Sequence, residues 1–162
     1  MSDLRKSMCL YLVQHGEAVA EAVDPNRPLS ESGRATVEQV AAWAARCELN
    51  VDRILHSGRL RSEQTATIFA DKLRPSAGIS VQPGIAPNDD VRPMADAVAE
   101  WTGSVMLVGH LPFLSRLASF LLVGDSQRPL VEFHNGGLVG LVRDGCNWTI
   151  RCVIPPRLTG RD

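Results

Sequence analysis

Met8-Cys-Leu-Tyr-Leu-Val13, followed at once by Gln14-His15-Gly16-Glu17, is the stretch on which the fold turns. Its first six residues are β-prone and apolar without alternation, the pattern of a strand covered on both faces. The polar residues 14–32, with two prolines, read as a loop leaving that strand. Ser30 then has the position of a helix N-cap with Gly33 in the first turn. Val37, Val40, Ala41 and Ala44 repeat at helical spacing through residues 35–47. Further on, 51–57 reads as a second strand, 60–73 as a second helix and 79–87 as a proline-broken extended segment. Residues 94–101 read as a short helix, 104–109 as a third buried strand and 113–123 as an apolar helix. Segments 129–133, 137–142 and 148–154 read as hairpin-linked strands, with Asp144-Gly145 as a turn. Strands alternating with helices predict an α/β fold, a three-layer sandwich with a mostly parallel central sheet and an antiparallel C-terminal edge.

The chain has 162 residues, which suits a single domain, 1–162, with loose ends expected at 1–7 and 159–162. Seventeen Lys and Arg against eighteen Asp and Glu leave a formal net charge of −1. That balance argues against a nucleic-acid platform, which carries a basic patch or a high pI. No wholly apolar run exceeds the six residues of 8–13, far short of the ~18 needed to cross a bilayer, so no membrane partner is expected. The four cysteines, Cys9, Cys47, Cys146 and Cys152, form no CxxC pair. They read as reduced thiols of a cytoplasmic protein.

In open α/β sheets, sites form beyond the C-terminal ends of the strands. Three such ends carry ionisable groups here: Gln14-His15-Gly16-Glu17, Ser57-Gly-Arg59-Leu-Arg61 and Gly109-His110. His15, Arg61 and His110 are spaced by about one strand-helix unit each, so the fold is expected to bring them to one rim. Two imidazoles and a guanidinium suit a phosphoryl group: one imidazole attacks phosphorus while the others hold the anionic oxygens. Gly16 and Gly109 are read as allowing close approach of a substrate to the backbone.

Four motifs in order carry a family resemblance: Leu12-Val-Gln-His-Gly-Glu-Ala18, Asp24-Pro-Asn-Arg27-Pro-Leu-Ser30, Ser57-Gly-Arg-Leu-Arg61-Ser-Glu-Gln64-Thr65-Ala66 and Val108-Gly109-His110-Leu-Pro112. The chain resembles the histidine phosphatase superfamily, with its phosphoglycerate mutase-like fold, and within it the small SixA-type phosphohistidine phosphatase branch. The short spacing between Gln64 and Gly109 fits that branch, which lacks the helical cap of larger relatives. The resemblance implies that His15 is the nucleophile and passes through a phosphohistidine intermediate. It implies that Arg61 and a protonated His110 bind the phosphoryl oxygens, and that Arg27 lies near the pocket mouth. Asp90, in Ala86-Pro-Asn-Asp-Asp-Val91, matches the branch's candidate leaving-group acid, with Asp89, Glu17 and Asp24 as further candidates. The chief departure is Gln14, where most of the superfamily has arginine. A neutral amide gives a weaker hydrogen bond than a guanidinium, and Arg27 or Arg59 is positioned in sequence to supply the missing charge. The implied partner is a protein bearing phosphohistidine or a small phosphorylated metabolite.

Other readings are blander. His56 and His134 read as structural or rim residues, although His134-Asn135-Gly136-Gly137 is a candidate to line the pocket, with Asn135 as a substrate contact. Cys47 and Arg53 have C-x5-R spacing, but the acidic and apolar residues between them do not form an anion cradle. No phosphate-binding P-loop, dinucleotide fingerprint, nucleophile elbow or spaced metal cluster is present. An imidazole nucleophile needs no metal, so no metal and no cofactor is expected. A non-catalytic phosphate-binding module remains the rival from outside enzymology, because of Gln14.

Overall fold

The computed structural model describes residues 7–160. In chain order the elements are β1 (Met8–Gln14), α1 (Glu31–Arg46), β2 (Arg53–His56), α2 (Leu60–Leu73), β3 (Ile79–Val81) and α3 (Arg92–Glu100). There follow β4 (Ser104–Gly109), α4 (Phe113–Val123), β5 (Leu138–Asp144), β6 (Asn147–Ile154) and a 3-10 turn over Pro156–Leu158. One six-stranded sheet has the order β3-β2-β4-β1-β5-β6. Its first four strands are parallel; β5 runs antiparallel to β1, and β6 antiparallel to β5.

The unbroken apolar run of β1 is explained by two cores. Met8, Leu10 and Leu12 face α3 and α4, where they meet Val98, Phe113, Leu114 and Leu117. Cys9, Tyr11 and Val13 face α1 and α2, where they meet Val37, Val40, Ala41 and Phe69. A strand buried on both sides has no polar face to alternate with. Full burial of each large aliphatic side chain contributes roughly 1.5–3 kcal/mol before entropy is counted. These two layers of helices on one sheet are the three-layer α/β sandwich that the sequence predicts. No helix among the described residues is long and apolar enough to cross a membrane.

Two expectations are corrected. Residues 129–133 form no strand: Val131 and Phe133 pack against the α3–α4 core from an irregular segment. Their apolar character reflects burial without pairing, and Pro129 has no N–H to give to a ladder. Nor is the C-terminal end loose at Thr159. That residue is 2% exposed, its hydroxyl donates to the Pro156 carbonyl at 2.7 Å, and it accepts from Gln39 Nε2 at 3.0 Å. Residues 1–6 and 161–162, also expected to be loose, lie outside the described residues.

Strand order places the chemistry. Because β4 inserts between β1 and β2, Gln14 pairs in register with Gly109, and His56 with Val108. The residues that follow, His15, His110 and Ser57, therefore emerge side by side from three neighbouring strands at the same edge of the sheet.

Candidate active site

His15 follows the last residue of β1, and its backbone N–H donates to the Gly109 carbonyl at 3.0 Å. Its ring Nδ1 lies 2.7 Å from the Gly16 carbonyl. A carbonyl only accepts, so Nδ1 carries the proton and Nε2 keeps its lone pair. Arg61 Nε–H donates to that Nε2 at 3.3 Å, which is consistent with a bare nitrogen. His110 lies beside it, the two ring centroids 4.9 Å apart and tilted by 54°. Both imidazoles are thus within reach of one phosphoryl-sized anion. Among the described residues, the hydrogen bonds of these three side chains run to Gly16, to Ser57 and to each other, and none to a carboxylate.

The first turns of α2 lock this arrangement. Arg61 is 8% exposed, on a helix where Ser62, Gln64 and Thr65 each hold a different piece of the site. Ser62 Oγ donates to the Val108 carbonyl at 2.8 Å and accepts from Ser57 N–H at 3.3 Å, tying the β2 and β4 ends together. Gln64 Oε1 accepts from Leu29 N–H at 2.8 Å, anchoring the loop before α1. Thr65 Oγ1 accepts from Gly16 N–H at 3.0 Å and donates to the Arg61 carbonyl at 2.7 Å. Gly16 is required by close packing: a Cβ there would lie 2.6 Å from Val37 Cγ2. Gly33 is required for the same reason, since its Cβ would meet the Glu17 carbonyl oxygen at 2.1 Å. Ser30 caps α1, its hydroxyl accepting from Gly33 N–H at 3.0 Å.

The field at the site is positive. Burial, followed by the charges of Arg61, Arg27 and Arg59, holds His15 below the ordinary histidine range, against an opposing pull from the Gly16 carbonyl. Burial pushes His110 further, down to about 3, helped by His15 and the same three arginines. Without an anion both rings are neutral at pH 7, in a site lined by guanidinium groups. An incoming dianion reverses the sign of that field, which favours charging an imidazole.

A family model describing the histidine phosphatase superfamily (branch 1) matches residues 10–86, a span that contains His15, Arg27 and Arg61. The chain belongs to the histidine phosphatase superfamily. Phosphohistidine phosphatase SixA of Escherichia coli K12 is 29% identical over 124 residues, covering 74% of this chain and 77% of that protein. An uncharacterised protein of Picosynechococcus is 31% identical over 142 residues, covering 83% and 84%. The solved structure of the protein histidine phosphatase SixA complexed with tungstate superimposes with a TM-score of 0.84. That match has 26% identity and covers 94% of this chain and all of that one. The fold is the phosphoglycerate mutase-like fold of the superfamily, and the homology assigns the chain to a group of phosphatases.

Gln14 is the last residue of β1. Its side-chain Oε1 is buried with no hydrogen-bond partner, while its backbone carbonyl accepts from Gly136 N–H at 2.9 Å. Asn135 reaches the site through the backbone, its Nδ2 donating to the His15 carbonyl at 3.0 Å. Arg27 has φ of 47° and donates from Nε to the Val19 carbonyl at 3.1 Å. Arg59, exposed, is the N-cap residue of α2. After burial, the positive charges of both arginines add to the lowering of the two histidines. Gly109, expected to give a substrate access, faces Leu114, whose Cδ2 a Cβ would approach to 3.5 Å.

Each candidate acid accepts a local hydrogen bond. Asp90 accepts from Arg92 N–H at 3.0 Å at the start of α3, and Asp89 from Ala86 N–H at 2.8 Å. Glu17 Oε1 accepts from the hydroxyls of Ser30 and Ser32, and Asp24 from Asn26 N–H. His56 is buried, its Nδ1 accepting from Gly58 N–H, and His134 sits 3.5 Å from the Glu132 carboxylate. Sequence reasoning did not single out Ser57, Ser62 or Thr65 for a role. The available signal was the i, i+4 spacing of Thr65 from Arg61 on α2; Ser57 precedes that helix and Ser62 adjoins Arg61.

Proposed function

We propose that the chain is a phosphohistidine phosphatase acting by double displacement through His15. The observation that carries this reading is the bare Nε2 of His15, fixed by the Nδ1–H bond to Gly16 and flanked by Arg61 and His110. In the first step the Nε2 lone pair forms a bond to phosphorus, and the P–N bond to the substrate imidazole breaks. The leaving nitrogen takes its proton from water. In the second step a water oxygen bonds to phosphorus and the P–Nε2 bond breaks, its electron pair returning to Nε2; one proton of that water leaves with inorganic phosphate and the other neutralises the hydroxide left by the first step. Arg61, His110 and the Gln14 amide hold the phosphoryl oxygens, with Arg27 and Arg59 at the mouth supplying positive charge. The Gly16 carbonyl holds the His15 ring, and Asn135 holds the His15 backbone carbonyl.

Among the described residues no carboxylate hydrogen-bonds to His15, Arg61 or His110, which supports a substrate that needs little help in leaving. A phosphoramidate has such a leaving group; an alkyl phosphate ester needs a general acid, worth roughly a hundredfold to ten-thousandfold in rate. The similarity to a phosphohistidine phosphatase and to a structure holding tungstate, a tetrahedral oxyanion, supports the same choice. The substrate is then a protein carrying phosphohistidine.

Turnover of a phosphohistidine-bearing protein, a small phosphoramidate and a panel of phosphomonoesters tests the proposal. The expected result is a kcat/KM for the phosphoramidates at least about a hundredfold above that for the esters. Faster ester hydrolysis, lost in both Asp89→Asn and Asp90→Asn, would instead identify a small-metabolite phosphomonoesterase.

A further inference from the structure

His110 Nε2 lies 2.6 Å from Ser57 Oγ, a short side-chain hydrogen bond joining the β2 and β4 ends. The other ring nitrogen, Nδ1, is buried without a partner, and the residue is 2% exposed. Among the described residues Ser57 is therefore the one hydrogen-bonding group through which the His110 ring is held. We propose that Ser57 is a further anion-binding residue of the site: its hydroxyl reverses direction when His110 gains a proton, and so becomes a donor to the bound phosphoryl group.

A serine hydroxyl has one hydrogen to give and two lone pairs to receive. While His110 is neutral with Nε2 bare, Ser57 O–H donates to it. Once His110 is an imidazolium, Nε2–H donates to Oγ, and the hydroxyl hydrogen is free to turn toward an oxyanion. A chain then runs from Nε2–H to Oγ–H to a phosphoryl oxygen, with no heavy atom displaced. Chains of this kind polarise one another, and the charge-assisted member is the stronger. The groups that face His110 all favour its neutral form until an anion arrives: His15 from the end of β1, Arg61 and Arg59 from the start of α2, and Arg27 from the β1–α1 loop. The same relay thus couples anion binding to the uptake of a proton.

A purely structural role accounts poorly for this hydroxyl. The loop is held independently, because Ser62 Oγ accepts from Ser57 N–H and donates to the Val108 carbonyl. The local bond that Ser57 Oγ does make, from Arg59 N–H, is long at 3.4 Å.

This inference rests on the anion-site reading above, and the test separates the two. Sulfate is the probe, because it stays a dianion throughout pH 5–8 and brings no titration of its own. Its affinity is measured by calorimetry at several pH values for the wild type, Ser57→Ala and Ser57→Thr. The wild type is expected to bind more weakly as pH rises. Ser57→Ala is expected to lose about tenfold in affinity at pH 6, the value of one charge-assisted hydrogen bond, and most of the pH slope. Ser57→Thr, which keeps the hydroxyl, is expected to retain both. Equal affinity and equal slope in wild type and Ser57→Ala would overturn the proposal, as would a Ser57→Thr protein that behaves like the alanine variant. Absence of sulfate binding by the wild type would refute the anion site itself. Thermal unfolding of each variant guards against misfolding, and should Ser57→Ala not fold, a Ser57→Cys protein that binds like the wild type overturns the relay.

Discussion

Thr65→Val removes one oxygen and keeps the shape of the side chain, which makes it a sharp probe of how α2 holds the nucleophile. Thr65 is fully buried, and its hydroxyl is the acceptor for Gly16 N–H. With valine that donor has no partner and no route to water, at a cost of about 1–3 kcal/mol. The Arg61 carbonyl loses the hydroxyl as a donor but keeps its place in the helix ladder. The added methyl returns part of the loss, leaving about 1–2 kcal/mol of net destabilisation. For a chain of this size that lowers the unfolding midpoint by about 2–8 °C. The same change frees the Gly16 peptide, whose carbonyl fixes the His15 tautomer. The turnover rate is therefore expected to fall by about ten- to a hundredfold, a size typical of a misplaced reacting group. Thermal melts and steady-state kinetics on Thr65→Val, with Thr65→Ser as the control that keeps the oxygen, measure both effects. A valine variant with unchanged midpoint and unchanged kcat would refute the reasoning.

Gln14→Arg is expected to tighten inhibition by phosphate severalfold, on the order of 1 kcal/mol, the difference between charged and neutral hydrogen bonds. It should also lower the melting temperature of the anion-free protein, because a fourth guanidinium joins Arg27, Arg59 and Arg61; weaker inhibition would mean that Arg27 or Arg59 already fills that space. Stability is expected to fall as pH drops from about 6.5 toward 3. Over that window the unfolded chain protonates His110 while the folded chain, with its pKa near 3, does not. The slope is at most about 1.36 kcal/mol per pH unit for that group, with His15 and His56 acting in the same direction. Urea unfolding at pH 7 and pH 5 reads it, and His110→Asn should flatten it; an unchanged slope in that variant would contradict the assignment. Gly16→Ala should destabilise by about 1–3 kcal/mol through overpacking against Val37 and Leu29, and a variant as stable as the wild type would show that this packing gives way freely.

The elements most legible in the sequence were those with a single physical cause. Residues 60–73, 104–109 and 113–123 form the elements read from their periodicity and two-sided burial. Residues 129–133 were misread because apolar content reports burial, and pairing depends on a free neighbour that composition does not reveal. Thr159 was misread for the converse reason: a polar residue near a terminus is anchored by Gln39, 120 positions earlier. The convergence of His15 and His110 was legible because both follow buried strands, and parallel neighbours deliver their ends together. Less legible was what holds the trio. The partners of Ser57, Ser62 and Thr65 lie 46 to 53 residues away in the chain, and a hydroxyl gives no sign in sequence of what it will bond. Gly16, read in the sequence as letting a substrate approach the backbone, also packs closely against the methyl of Val37, a contact that the sequence does not reveal.

The central claim is that Nε2 of His15 attacks phosphorus, and rapid-quench labelling addresses it most directly. The protein is mixed with a phosphoramidate donor carrying labelled phosphate, quenched in alkali, and its labelled peptide sequenced by mass spectrometry. One phosphoryl group per chain should appear on His15 within a single turnover, stable in base and labile in acid, and be absent in His15→Ala. Label on any other residue, or full turnover in His15→Ala, would contradict the account.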